Sequence, residues 1–183
     1  MTQRHIGLTL ALLATIWVTF VADRLLPLEQ LGLRPRTLDG LFGIVAMPFL
    51  HANLPHLMSN TLPLLVLLFM VILTTRAPVV VTVAISLVSG VLIWLFARNG
   101  NHIGASALVF GLATYLIAGG YRAHSALAFG AAVVTFFVYG ATLLSGVLPQ
   151  GSQVSWDGHL AGAVAGVMVA RMARNLATTR GAA

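Results

Sequence analysis

Gly104–Gly120 reads GASALVFGLATYLIAGG. No residue in it is charged, and it just meets the lower limit of about 17 apolar residues for a helix that crosses a bilayer. Its start nevertheless carries a hydroxyl, Ser106, set among Gly104, Ala105 and Ala107. Small residues of this kind let membrane helices approach closely. The run therefore predicts a membrane helix with a polar group near its mouth and a close neighbour.

Five other stretches repeat the pattern: Ile6–Ala22, His56–Thr75, Pro78–Ala97, Ser125–Leu148 and His159–Arg171. The last is the shortest, and its arginine end can snorkel to the interface. An isolated apolar run must satisfy its own backbone hydrogen bonds in lipid, so each is expected to be helical. The expected fold is an all-α membrane protein of six spanning helices, with residues 1–183 forming one domain. Arg4 followed by an apolar run could imitate a secretory signal. Phe20 spoils a small-x-small cleavage site ending at Ala22, and the stretch is read as a retained first helix.

Composition agrees. Of 183 residues, 58% are hydrophobic and only 8% charged, against roughly 25% charged in a soluble domain. Most of the exterior must face lipid, which makes the bilayer the first expected partner. The absence of cysteine excludes disulfides, thiolate metal sites and a cysteine nucleophile. The net charge of +6 comes from scattered arginines without aromatic interleaving, a poor pattern for nucleic acid.

Between the first two stretches lies a long connection, 23–55. It contains a shorter apolar segment, Leu41–Leu50, interrupted by Gly43 and Pro48. That segment is too short to span and suits an interfacial or partly submerged position. Arginine distribution sets the orientation. With the N-terminus inside, Arg4, Arg76, Arg122, Arg171, Arg174 and Arg180 face the cytoplasm, against Arg24, Arg34, Arg36 and Arg98 outside. The arginine-rich side stays in, giving an N-in, C-in arrangement.

In that arrangement the second, fourth and sixth helices run from outside to inside, and each opens with polar groups: His56 and Asn60, Ser106, and His159. Polar groups at membrane depth are costly and mark function. His56 and Asn60 are four apart and share a helix face. Gly158, Gly162 and Gly166 repeat every four residues, and His159 shares a face with the latter two. Close approach of the fourth and sixth helices would bring the His159 imidazole to the Ser106 hydroxyl. A serine becomes nucleophilic when a base takes its proton, and a histidine titrating near neutrality is suited to that. Acyl transfer also needs donors for an oxyanion. His56, Asn60 and the Ser106 amide at a helix N-terminus could supply them.

Other chemistry fits less well. Asp157 is only two residues from His159, which on a helix points it away, so it is read as a cap or loop acid. A zinc site from His51, His56, His102 and His159 has no H-E-x-x-H and no carboxylate in the layer. No metal or cofactor is expected. A transporter with a histidine relay would more often carry midplane acids and inverted repeats. His51 and His102 are read as structural loop residues, and His5 and His124 as incidental.

Taken together, His51-x4-His56-x3-Asn60, Gly104-Ala105-Ser106 preceded by His102-Ile103, and Gly158-His159-Leu160-Ala161-Gly162 resemble motifs of the rhomboid family of intramembrane serine proteases. The resemblance covers nearly the whole chain. It implies Ser106 as nucleophile and His159 as general base in a dyad, with His56, Asn60 and the Ser106 amide as oxyanion hole. Gly104, Phe110 and Gly162 would support them. Substrates would be membrane-anchored proteins cut near the outer end of a transmembrane helix. The fifth helix and its following loop would be the gate. The expected setting is a bacterial cytoplasmic membrane with the active site toward its outer side, in a minimal form without an extra cytosolic domain. Ala107 and Phe110 depart from the glycine and tyrosine many members carry there. The rival is a rhomboid-like escort that binds membrane proteins without cutting them, although such proteins usually lose the serine or the histidine. Oligomeric state is not legible.

Overall fold

The computed structural model describes residues 2–121, 125–149 and 155–180, with side chains described for 3–121, 125–149 and 155–173. Arg122 and His124 lie outside the described residues, as do the side chains of Arg174 and Arg180. The described residues form seven α-helices: α1 Thr2–Ala22, the short α2 Gly43–Ala46, α3 Leu54–Thr74, α4 Pro78–Phe96, α5 Ser106–Gly120, α6 Ala126–Gly146 and α7 Trp156–Arg180. Among the described residues there is no strand, only an isolated antiparallel bridge between Leu33 and His102.

Local chemistry sets the helix starts. Asn53 caps α3 by accepting the His56 amide at 2.9 Å, with Pro55 in the first turn, where its missing N–H costs nothing. Pro78 opens α4 for the same reason, and Ser125 caps α6 through the Ala128 amide. Of the starts that differ from the sequence expectation, those of α5 and α7 bear most on the site. α5 begins at Ser106 and not at Gly104, because Gly104 adopts φ +112°, outside the helical region. α7 begins at Trp156, three residues before His159, so the histidine lies within the first turn and not at its edge.

Four described helices are long and apolar enough to cross a membrane: Gln3–Ala22 of α1, α3, α4 and α6. α5 has 15 residues and is shorter, about 22 Å along its axis. It is also the most enclosed helix, with Ala107 to Ala113 all buried. A helix apolar on all sides belongs at the centre of a bundle; α3, α4, α6 and α7 all pack on α5, α7 most extensively. The outer helices expose large apolar side chains, for instance Phe137, Leu144 and Val80. On a chain this poor in charge they form a lipid-facing surface.

The long first connection is anchored, not loose. Leu33 and His102 exchange backbone hydrogen bonds at 3.0 and 2.8 Å. Arg36, at φ 58°, donates to the Leu95 and Ala97 carbonyls and to Asn99, satisfying the end of α4. The apolar segment expected to be partly submerged folds into α2 and the turn Met47–Phe49, where Met47 and Pro48 are buried. The Met47 carbonyl accepts the Gly104 amide at 2.9 Å, tying that turn to the start of α5.

Candidate active site

The contact between α5 and α7 is made by backbone. A Cβ added at Gly162 would strike the Ala107 carbonyl, and one at Gly166 the Gly111 carbonyl. Gly111 in turn faces Ile85 and the Gly162 carbonyl. This seam places the first turns of the two helices side by side. Ser106 directly precedes Ala107, and His159 lies one turn before Gly162.

His159 is held on two sides. Its Nδ1 lies 3.0 Å from the Gly146 carbonyl at the end of α6. A carbonyl can only accept, so Nδ1 carries the hydrogen, and in the neutral ring Nε2 is left as an acceptor. Phe110 of α5 stacks on the imidazole, with centroids 4.2 Å apart and planes within 10°. The ring is half-buried, as is Ser106. Among the described residues the Ser106 hydroxyl has no hydrogen-bond partner, so serine and histidine occupy one layer without being bonded to each other.

His56 reaches the same place from α3. A Cβ at Gly104 would come within 2.6 Å of His56 Nε2, so the ring lies directly over that glycine. Position 104 is thus closed to side chains twice, by its φ and by the imidazole. Asn60 is buried and donates Nδ2 to the His56 carbonyl of its own helix at 2.9 Å, leaving its second amide hydrogen. The first amide to reach back inside α5 is that of Val109, to Ala105. The Ser106 amide therefore belongs to the unsatisfied first turn.

Several supporting groups carried no clear signal in the sequence. Arg98, just past α4, pairs with Asp157 at 3.2 Å and donates its backbone amide to the same carboxylate at 2.8 Å. Ser155 lies 2.8 Å from His102 Nδ1, while His102 Nε2 lies 3.0 Å from the Arg98 carbonyl. These four residues lash the start of α7 to the α4–α5 connection. Asp157 is thus an ion-paired acid of the first helical turn, and His102 a hydrogen-bonding loop residue. His51 is 1% exposed, and neither ring nitrogen has a hydrogen-bond partner; the Phe49 carbonyl is near it but short of bonding geometry. Its ring centroid is 5.0 Å from that of His56. Burial, reinforced by the neighbouring His56 charge, lowers the His51 pKa to about 4. Among the described residues no three His, Cys, Asp or Glu side chains gather as metal ligands.

The arrangement can be compared with known proteins. A family model for the rhomboid domain matches residues 39–175. The chain belongs to the rhomboid family. Uncharacterized proteins of Mycobacterium bovis and Mycobacterium tuberculosis are each 43% identical over 152 residues, which is 78% of this chain and 63% of theirs. An uncharacterized protein of Mycobacterium leprae is 36% identical over 173 residues, 88% of this chain and 68% of its own. The chain thus spans about 63% of the length of the first of these relatives. Rhomboids are generally intramembrane serine proteases, and the family includes inactive members. The matched residues take in α2 to α6, α7 as far as residue 175, and every residue of the candidate site.

Proposed function

We propose that this rhomboid is an intramembrane serine endopeptidase that cleaves membrane-anchored proteins within or beside a transmembrane segment. Ser106 is the nucleophile and His159 the general base. His56, Asn60 and the Ser106 amide receive the oxyanion, and Gly104, Phe110 and Gly162 hold the three helices in register. The proposal includes the six-helix, N-in and C-in arrangement, with the site toward the outer face of a bacterial cytoplasmic membrane.

The observation that carries this reading is the hydrogen bond from His159 Nδ1 to the Gly146 carbonyl. It fixes the tautomer whose Nε2 can accept a proton, which is the one requirement a base must meet before geometry matters. The Ser106 proton would pass to Nε2 as the hydroxyl oxygen attacks the scissile carbonyl. The imidazolium would then protonate the leaving amine, and water would release the acyl group by the same route. The unbonded Ser106 hydroxyl fits a resting site that tightens on substrate. It also fits a non-cutting escort, the second reading.

Labelling of detergent-purified protein with a fluorophosphonate probe tests the choice without a known substrate. Labelling of wild type that is lost in Ser106→Ala and in His159→Ala is expected. A folded wild type that does not label, beside an active rhomboid that does, would replace the protease with the escort.

A further inference from the structure

A cavity of about 250 Å³ lies between α1 and α4, beneath the Pro48–Phe49 turn. His5 and Leu12 of α1, Leu68 of α3, Val83 of α4, Phe49 and Leu108 are among its lining residues. The gap follows from the packing. α1 leans on α3 and the Met47–Phe49 turn, whereas α4 leans on α2, α5 and α7, and α1 and α4 are not among the extensively packed pairs. We propose that this cavity binds one acyl chain of an anionic phospholipid from the leaflet on the His5 side.

Size and lining select the occupant. On α4 the wall runs from Pro78 to Ser86, about 12 Å of helix rise and within the roughly 15 Å half-thickness of a hydrocarbon core. A second helix, about 10 Å across with its side chains, is too wide for 250 Å³ of space. An apolar void of even about 150 Å³ stays dry and takes hydrocarbon, and in a bilayer the hydrocarbon at hand is a lipid tail.

Charge selects the headgroup. Arg4 adjoins His5, and Arg76 lies two residues before Pro78, so two exposed arginines neighbour in sequence the residues His5 and Pro78 that line one end of the cleft. All four acidic residues (Asp23, Glu29, Asp39 and Asp157) lie beyond the far end of α1 or at the start of α7. The mouth is therefore cationic and uncompensated by nearby carboxylates, which suits a phosphodiester anion. The tail would press on a roof that matters: the turn above it holds Gly104 through the Met47 carbonyl, and Leu108 lies two residues past Ser106.

The test uses the full chain in phosphatidylcholine nanodiscs carrying a trace of phosphatidylglycerol with a diazirine in its acyl chain, or the same chain on phosphatidylcholine. After irradiation, adducts are mapped by mass spectrometry. The phosphatidylglycerol probe is expected to label α1 and α4 around Leu12 and Val83 about fivefold more than the lipid-facing Phe137 region of α6, and the neutral probe to show no such excess. Thr82→Phe, which fills the cleft, should abolish the excess. Arg4→Gln with Arg76→Gln, both exposed, should reduce it to the neutral level in protein whose N-in orientation is checked by protease protection, since both belong to the inner arginine set. Equal labelling of α1, α4 and α6, equal labelling by the two probes, or an excess that survives the arginine pair would overturn the proposal.

Discussion

α7 and α6 both pack on α5, but in different ways. α7 meets α5 along its length through Gly162 and Gly166, so that backbone lies on backbone. α6 meets α5 less extensively, with Tyr139 and Leu143 packed on the core along its length. Gly120 of α5 abuts Ala128 and Ala132 at one end, and Gly146 abuts Phe110 at the other. Between them α6 turns Phe136, Phe137 and Val138 outward, and its described buried residues are only Ala132, Thr135 and Gly146. The helix that carries the candidate base is clamped backbone to backbone, and the helix beside it is held by fewer buried residues. A glycine therefore means different things in the two places: on α7 it is contact area, on α6 much of it is open surface.

The sharpest way to break this contrast is Gly162→Val. The new side chain meets a carbonyl, and no rotamer relieves a clash with backbone, so overpacking should cost at least 1–3 kcal/mol. Fluorophosphonate labelling should fall about 100-fold, the counterpart of roughly 2.7 kcal/mol, and the thermal midpoint should drop. Labelling at the wild-type rate would mean the seam is soft. A smaller loss, up to about tenfold, is expected for Phe110→Ala, which removes the ring stacked on His159. An unchanged rate would show that the Gly146 carbonyl alone orients the imidazole.

Asp157→Asn keeps the size of the side chain and removes the ion pair with Arg98, which is half-exposed. Because such pairs are screened, only about a threefold slowing is expected. No effect in low salt would detach this network from the site. His51 supplies the pH arm. Its pKa falls from 6.5 to about 4 in the folded chain, so the unfolded chain takes up a proton first. The stability is fully present above 6.5 and is lost as pH falls toward 4. Thermal midpoints between pH 8 and 4 should show that decline, and His51→Phe should flatten it; an equal slope in the variant would assign the loss elsewhere. The smallest effect is expected at Gly130 of α6, where an added Cβ meets nothing within 4 Å. Gly130→Ala should change stability by no more than about 1 kcal/mol, in the favourable direction. A large loss there would erase the distinction between the two helices.

What the sequence disclosed was whatever acts through side-chain type at a fixed spacing. The apolar runs gave the helices, the glycine repeat Gly158–Gly162–Gly166 pointed to the α5 contact, and the polar starts at His56, Ser106 and His159 gave the layer. Groups that act through backbone left no such trace. Gly146 lies unmarked inside the Ser125–Leu148 run, yet its carbonyl orients His159. The positive φ of Gly104 looks like any small residue until His56 is seen above it. The Arg98–Asp157 pair joins residues 59 positions apart in sequence, and no local pattern links them. His51, read as a loop residue, is buried because the Met47–Phe49 turn folds inward, a tertiary outcome that composition cannot encode.

The bond between Gly146 and His159 makes the proton on the imidazole a position gauge for α6. While the helix end stays in place, the hydrogen is kept on Nδ1. A shift of its last turn by little more than about 0.5 Å away from the ring would break a 3.0 Å bond, because hydrogen bonds fade beyond about 3.5 Å. The hydrogen could then settle on either nitrogen, and the ring would lose its assigned polarity. In this molecule the position of a lipid-facing helix and the tautomer of a single side chain are linked through one hydrogen bond.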